Sequence, residues 1–190
     1  ELFKCLAVPN FEAAAALLSE FGVFDELRLL TFGVDPAGPQ NLQVETETLT
    51  ALTRLSNKLD GGQQVAHVIP NLDFQNLHAY QVMLDEPLQG GRKRRHLLLL
   101  CSILLHIHPS FDVGKTSTPD LLPEEFSEQI TQALLIGQKE KAYFKAVSGG
   151  FLRLADLSRC RPVKLDYYRF FREFGSYGLD SALLAMAEVQ

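Results

Sequence analysis

One segment of this chain is apolar on every side of a helix: Leu97 to Ile107, which reads LLLLCSILLHI. Four adjacent cations, Arg92 to Arg95, stand directly before it. A helix that is hydrophobic all round is buried, either in a protein core or in a membrane. A membrane span needs about 20 apolar residues, and this run is about half as long and is interrupted by Ser102 and His106. The segment therefore predicts a central core helix with a charged entrance, in a protein that does not bind a membrane.

The size and composition of the chain agree with a folded domain around that helix. The chain has 190 residues, of which 46% are hydrophobic and 22% are charged. These fractions are ordinary for folded proteins and differ from those of disordered chains. We expect a single all-helical domain over residues 1–190, which is long enough to bury a core. The chain opens Glu1-Leu2-Phe3 without an initiator methionine, so we also expect it to be a fragment of a longer protein.

The cysteines indicate a reducing environment. Cys5, Cys101 and Cys160 are odd in number, widely spaced and set in apolar or basic surroundings. A disulfide framework uses an even number of cysteines, and intracellular compartments keep thiols reduced. We therefore expect free, mostly buried thiols in an intracellular protein of the nucleus or the cytoplasm.

Apolar residues recur at helical spacing along most of the sequence. Gly22 and Gly33 end two of these periodic segments, as left-handed C-terminal glycines do. Gly149-Gly150 predicts a break between two further helices, Lys139 to Val147 and Phe151 to Ser158. The pattern as a whole predicts about eight to ten short helices joined by short loops. The fold class that we predict is all-α, an irregular helical bundle or a short HEAT-like helical array.

Two patterns resemble parts of enzyme sites, and each lacks an essential partner. Gly114-Lys115-Thr116-Ser117 is similar to the end of a phosphate-binding P-loop, but Pro109 stands where that loop needs its first glycine. Ser102 and His106 are neighbours at i, i+4 on the central helix, yet no placed carboxylate or oxyanion hole accompanies them. A solvated loop and a structural polar stripe are the better interpretations, so we predict no catalytic residue and no enzyme.

The histidines and cysteines do not predict a metal site. His106 and His108 are two residues apart, and such residues point nearly opposite ways on a helix. Cys101 lacks the paired spacing of zinc ligands. Histidines satisfied in the core or at the helix end are the better interpretation, so we predict no metal and no cofactor.

The cations before the central helix are not explained by its stability. Arg92, Lys93, Arg94 and Arg95 would oppose the positive end of the helix dipole, at a cost of about a few tenths of a kcal/mol each. Either the helix begins after them, near His96, or they serve something outside the fold. The candidates are a nuclear-import signal, an acidic partner or nucleic-acid phosphate, and a solvated loop remains the alternative.

The charges of the chain are distributed unevenly. The whole chain has a net charge of -5. Between Lys139 and Glu173, however, nine Lys or Arg residues stand against four acids, a local net charge of +5, so the remainder carries -10. This basic region is the second place where an acidic partner or a nucleic acid could bind.

One predicted helix within the basic region has a distinct outer face. Lys164, Tyr168 and Arg172 stand at i, i+4 and i+8, with Leu165 and Arg169 beside them. Arg, Lys and Tyr on one surface are typical of interaction hot spots and could also contact nucleic acid. In the alternative interpretation, long cationic stems cover apolar rings and Tyr168 is partly buried. An apolar stripe on the same helix is expected to face the core: Val163, Tyr167, Phe170, Phe171 and Phe174.

The sequence therefore predicts a non-enzymatic scaffold or adaptor domain of a larger intracellular complex. Its partner would be a protein with acidic or aromatic-binding chemistry. The predicted partner-binding residues are Lys164, Tyr168, Arg169, Arg172, Arg92, Lys93, Arg94 and Arg95. The alternative is a nucleic-acid-associated domain that uses the basic surface of residues 139–173 and 92–95, although a net charge of -5 argues against it.

Overall fold

The computed structural model describes residues 2–8, 11–34, 41–60, 74–88, 91–110 and 122–188. Within these ranges it contains ten helices and no strand, which confirms the all-α prediction. The loop that contains Gly114-Lys115-Thr116-Ser117 lies outside the described residues. The helices are α1 (Leu2–Cys5), α2 (Phe11–Glu20), α3 (Val23–Phe32), α4 (Asn41–Asp60), α5 (Phe74–Asp85), α6 (Arg94–His106), α7 (Pro123–Leu134), α8 (Gln138–Arg159), α9 (Lys164–Phe174) and α10 (Tyr177–Glu188).

Helix α6 is the centre of the fold, as the apolar run predicts. Every side chain from Leu97 to His106 is at most 4% exposed. Helices α3, α4, α5, α8 and α10 all contact it. Leu6 and Ala187 belong to the same buried cluster as α6, so both ends of the described chain contribute to this core.

Two of the predicted helix ends are present. Gly22 and Gly33 both have a φ of 67°, in the left-handed region that favours glycine. The amide of Gly33 donates a hydrogen bond to the carbonyl oxygen of Leu29, at 2.9 Å, which closes the last turn of α3. Gly22 and Gly33 therefore end helices through their left-handed backbone conformation, as the sequence predicts.

Helix α8 is continuous from Gln138 to Arg159, so the predicted break at Gly149-Gly150 is wrong. A glycine in a helix interior costs about 1 kcal/mol relative to alanine. Here, however, a Cβ atom at Gly150 would lie 2.3 Å from the hydroxyl oxygen of Ser181 in α10. Gly150 thus allows α10 to approach α8 closely, and the packing gained across this crossing outweighs the low helix propensity.

Candidate interaction surface

Helix α9 lies at the edge of the fold and contributes little to the core. Val163, with a φ of -98° and a ψ of 166°, is extended, and its amide donates a hydrogen bond to the Asp166 carboxylate at 3.0 Å. This bond caps the first turn. Phe170 is the buried residue of the helix, 1% exposed, and its ring packs against Phe174 with centroids 5.0 Å apart. Phe174 in turn lies beside Gly149 and Gly150 of α8, so these two aromatic side chains attach α9 to the rest of the molecule.

The face of α9 opposite Phe170 is open to solvent. With 3.6 residues per turn, Lys164, Leu165, Tyr168 and Arg172 lie together on that face, and Arg169 borders it. All five side chains are exposed, Tyr168 by 63% and Leu165 by 52%. We call these five residues the basic aromatic face. Tyr168 is thus more exposed than the alternative interpretation of a partly buried ring expects.

The apolar stripe predicted to face the core is only partly buried. Phe170 and Phe174 turn inward, but Val163, Tyr167 and Phe171 are exposed. The reason is that, within the described part of the chain, α9 packs mainly against α8 and α10, along one side. The prediction that this whole stripe is buried is therefore wrong, and its exposed members extend the apolar surface beside the basic aromatic face.

The cations of this face are not engaged in ion pairs with the described part of the chain. Elsewhere in the basic region Lys141 pairs with Glu128, Lys145 with Glu124 and Arg159 with Asp156. Among the described residues, no carboxylate oxygen lies within 4 Å of the charged nitrogen atoms of Lys164, Arg169 and Arg172. Their positive charge is available to an acidic partner.

The other predicted group, Arg92 to Arg95, adopts a conformation that the sequence did not indicate. Residues 86–88 pair with residues 92–94 between α5 and α6, in an antiparallel arrangement that we call the hairpin. The amide of Leu88 donates to the Arg92 carbonyl at 2.8 Å, and the amide of Arg94 donates to the Glu86 carbonyl at 3.2 Å. Gly91 has a φ of 77°, in the left-handed region that favours glycine. Side chains alternate along an extended segment, so Arg92 and Arg94 point to one side and Lys93 to the other.

Arg94 is a buried structural residue. Only 5% of it is exposed, and its Nε lies 2.6 Å from Oδ2 of Asp180 in α10. Its Nη2 donates to the Ser176 carbonyl at 2.6 Å, and its guanidinium lies 4.8 Å from the centre of the Tyr177 ring. The prediction that Arg94 contacts a partner is corrected, because such a contact would leave the Asp180 carboxylate buried without its cation.

Asp180, which pairs with Arg94, also contacts a tyrosine from α5. The Tyr80 hydroxyl donates to Oδ1 of Asp180 at 2.9 Å. Burial raises the pKa of Tyr80, and the negative charge of Asp180 raises it further. Burial also raises the pKa of Asp180, although the attraction of Arg94 opposes this change. The network joins α5, α6 and α10 at the point where the cationic hairpin meets the core.

Arg92 has a second structural contact. Its Nη1 lies 2.7 Å from Oε2 of Glu140, a carboxylate that is 1% exposed, and its guanidinium stacks on Phe3 at 4.4 Å from the ring centre. The same Glu140 oxygen accepts a hydrogen bond from the Gly137 amide at 2.9 Å, at the start of α8. Arg92 therefore holds α1, the hairpin and α8 together, which favours a structural role for it over contact with a partner.

Lys93 and Arg95 stay near the surface and share one carboxylate. The Nζ of Lys93 lies 3.2 Å from Oδ1 of Asp85, and the Nε of Arg95 lies 3.6 Å from the same oxygen. The Lys93 side chain is 47% exposed and that of Arg95 is 25% exposed. Lys93 is the most exposed of the four cations, and Arg95 is about as exposed as Arg92, whose side chain is 30% exposed.

The candidate catalytic pair on α6 is sealed in the core. Ser102 is fully buried, and Nδ1 of His106 lies 2.8 Å from the carbonyl oxygen of Ser102 rather than from its hydroxyl. The imidazole therefore bonds to the backbone and does not activate the serine. His108 lies apart from His106, with its ring edge-on to Phe32 at 4.7 Å between centroids.

Other expectations concern metals, thiols and membranes. No group of three or more His, Cys, Asp or Glu side chains suited to a metal occurs among the described residues. Cys5, Cys101 and Cys160 are free; Cys101 is buried and Cys160 is exposed, and burial raises the pKa of the Cys101 thiol. No helix in the described ranges combines the length and the apolar character that crossing a membrane requires.

Comparisons of this chain with protein-family models, with curated proteins and with solved structures found no match. The case for function therefore rests on the surfaces described above.

Proposed function

We propose that this chain is a non-enzymatic scaffold or adaptor domain whose basic aromatic face binds a protein partner. The observation that carries the proposal is the state of α9, which buries one side chain and exposes Leu165, Tyr168 and three cations without ion pairs in the described part of the chain. Free thiols agree with a reducing compartment, and we place the complex in the nucleus or the cytoplasm.

The composition of the face suits a protein interface. Tyrosine and arginine dominate interaction hot spots, because each combines a large apolar surface with polar groups that specify the partner. Tyr168 and Leu165 supply the apolar centre, and Lys164, Arg169 and Arg172 surround it. The partner that fits this pattern presents one or two apolar side chains among Asp or Glu residues.

The alternative, binding of nucleic acid through residues 139–173 and 92–95, has weaker support. Three lysines or arginines of the basic region are already paired with carboxylates. Arg92 and Arg94 are paired with Glu140 and Asp180. Neutralised cations release few counterions from a phosphate backbone, and counterion release supplies most of the non-specific affinity for nucleic acid.

The test is a quantitative affinity purification from cell extract with three versions of the chain. The face variant carries Lys164→Glu and Arg172→Glu. The control carries Lys139→Glu and Arg153→Glu, two exposed cations of the same basic region, so that both variants change the net charge equally. We expect a set of proteins that the wild type and the control retain and that the face variant loses.

A second variant, Tyr168→Ala, tests the apolar centre without changing any charge. It should lose the same proteins, because the ring supplies much of the buried contact area of such interfaces. If the face variant and Tyr168→Ala retain the partners of the wild type, the proposed face is wrong. If labelled RNA or DNA binds at low salt and the Lys164→Glu, Arg172→Glu variant weakens that binding, the alternative replaces the proposal.

A further inference from the structure

The corner between α2 and α3 exposes apolar side chains that the core does not use. Phe21 is 76% exposed and Leu17 is 51% exposed. The amide of Phe21 donates a hydrogen bond to the Leu17 carbonyl at 2.9 Å, so the helical path of α2 continues to Phe21 and places the two side chains side by side. The side chains that α2 buries lie on a different face of the helix: Phe11, Ala15 and Leu18.

Two carboxylates border these apolar side chains. Glu20 directly precedes Phe21, and Glu26 lies one helical turn after Gly22, because its amide donates to the Gly22 carbonyl at 3.1 Å. Leu30, four residues further along α3, is 62% exposed and lies beside Glu26. Both glutamates are exposed, and neither forms an ion pair with the described part of the chain. We call the following residues the acidic apolar corner: Leu17, Glu20, Phe21, Glu26 and Leu30.

The acidic apolar corner complements the basic aromatic face in composition and in charge. Residues 11–34 contain four acids and one arginine, a local net charge of -3, whereas residues 139–173 carry +5. The partner required by the proposed function presents one or two apolar side chains among Asp or Glu residues. The corner has that composition, and opposite charges on two surfaces favour their association.

The two surfaces belong to different parts of the fold. Within the described residues α9 packs mainly against α8 and α10, whereas α2 and α3 pack against each other and against α1, α4, α6 and α7. Both surfaces are exposed in the single chain, so they do not cover each other there. Two different surfaces that join copies of one chain form a head-to-tail contact, which repeats into a ring or an open row of copies.

We infer that the basic aromatic face binds the acidic apolar corner of a second copy of this chain. The inference rests on the proposed function, because it names the partner of the same face. The cations of the face approach Glu20 and Glu26 of the next copy, and Tyr168 packs against Phe21. Each surface has about five side chains, fewer than the roughly 20–30 residues on each side of a standard interface, so we expect a Kd of about 10 μM to about 1 mM.

The test is sedimentation velocity of the purified chain at concentrations from about 10 μM to about 1 mM. We expect the weight-average sedimentation coefficient to rise with concentration. It should rise less at about 500 mM salt than at about 50 mM, because salt screens exposed charges.

Two charge-reversal variants locate the contact. The face variant, Lys164→Glu with Arg172→Glu, and the corner variant, Glu20→Lys with Glu26→Lys, should each stay monomeric, because like charges then oppose each other. An equimolar mixture of the two variants should associate again, since the mixture restores opposite charges at each contact. This recovery also shows that neither variant has lost its fold.

Matched controls reverse the same number of charges at other exposed positions. Lys139→Glu with Arg153→Glu, and Glu86→Lys with Glu125→Lys, should associate as the wild type does. Phe21→Ser tests the apolar part without changing any charge. It should raise the Kd about tenfold or more, because the contact no longer buries an aromatic ring.

The inference is overturned if the wild type stays monomeric up to about 1 mM, or if both charge-reversal variants associate as strongly as the controls. The affinity purification from cell extract separates this failure from failure of the proposed function. If the chain stays monomeric and the face variant still loses proteins from the extract, the face binds a different protein and the proposed function stands. If the face variant changes neither self-association nor the proteins retained from the extract, both are wrong.

Discussion

The hairpin before α6 and the outer face of α9 carry the same kinds of cation, and the structure places them in opposite environments. Arg94 is buried against Asp180, whereas Arg172 is exposed and forms no ion pair with the described part of the chain. In the hairpin the guanidinium groups of Arg92 and Arg94 bridge α1, α8 and α10. On α9 the cations contribute little to the packing of the fold. A run of like charges in a sequence is therefore no measure of a binding surface.

The difference follows from the backbone that presents each group. An extended segment sends alternate side chains to opposite sides, so Arg94 enters the core while Lys93 stays at the surface. A helix at the edge of a fold presents neighbours at i, i+4 and i+8 on one face instead. On α9 that face points away from α8 and α10, which leaves Lys164, Tyr168 and Arg172 together and exposed.

One substitution, arginine to methionine, made at three positions measures this contrast. At Arg94 it should cost most. The Asp180 carboxylate would remain buried without a cation, which destabilises a protein by about 3–5 kcal/mol. Urea unfolding should show that loss in the free energy of unfolding of Arg94→Met.

The double variant Arg94→Met with Asp180→Leu is the control for the buried charge. Replacing both partners by apolar side chains removes the unpaired carboxylate, so much of the lost stability should return. Tyr80 then keeps an unpaired hydroxyl, and recovery should be incomplete. A single variant as stable as the wild type would contradict a structural role for Arg94.

At Arg92 the same substitution should have a smaller effect. The apolar stem of methionine can still cover Phe3, but Glu140 loses its cation. Glu140 keeps the hydrogen bond from the Gly137 amide, so it is not left wholly without a partner. We expect Arg92→Met to lower the free energy of unfolding by about 1–3 kcal/mol. Urea unfolding measures this loss. A loss equal to that of Arg94→Met would contradict the prediction that Arg92 contributes less to stability than Arg94.

The sequence predicts the fold more fully than the site. The apolar run from Leu97 to Ile107 identifies the central helix because burial on all sides is a local property of the sequence. Gly22 and Gly33 mark helix ends through their own conformation. At Gly150 the decisive contact is Ser181, in another helix, and no local pattern reports a close helix crossing.

The candidate site divides in the same way. The spacing of Lys164, Tyr168 and Arg172 is enough to place them on one face of a helix. Their exposure, and the burial of Arg94, depend on which helices pack nearby. Asp180, the partner of Arg94, is 86 residues away in the chain, so sequence spacing carries no sign of the pair. In the sequence, Pro87 and Gly91 are the residues that suggest an extended segment before α6.

His108 extends the comparison to a group that the fold needs uncharged. Burial lowers its pKa from 6.5 to about 4, and its Nδ1 accepts a hydrogen bond from the Ser110 amide at 3.1 Å, which requires a neutral ring. Below pH 6.5 the unfolded chain binds a proton that the folded chain does not, so stability falls as the pH falls from about 6.5 to 4.

The variant His108→Gln isolates this pH dependence. In the wild type, His108 should contribute a slope well below about 1.4 kcal/mol per pH unit, the limit for one proton, because its ring is partly solvated. Urea unfolding of both proteins between pH 4 and 7 measures the difference. Equal slopes would show that the ring is protonated in the folded state as readily as in the unfolded chain.

The third position of the arginine series, Arg172→Met, should change stability least, within about 0.5 kcal/mol. Its side chain is exposed and forms no ion pair with the described chain, so neither burial nor a lost partner adds a cost. Under the proposed function, however, this variant should lose part of the partner binding. The substitution at Arg94 would then mainly lower stability, and the one at Arg172 would mainly lower partner binding. A purely structural role for both cations does not allow this difference. A large loss of stability at Arg172 would place α9 among the elements that hold the fold together, and the basic aromatic face would lose its main support.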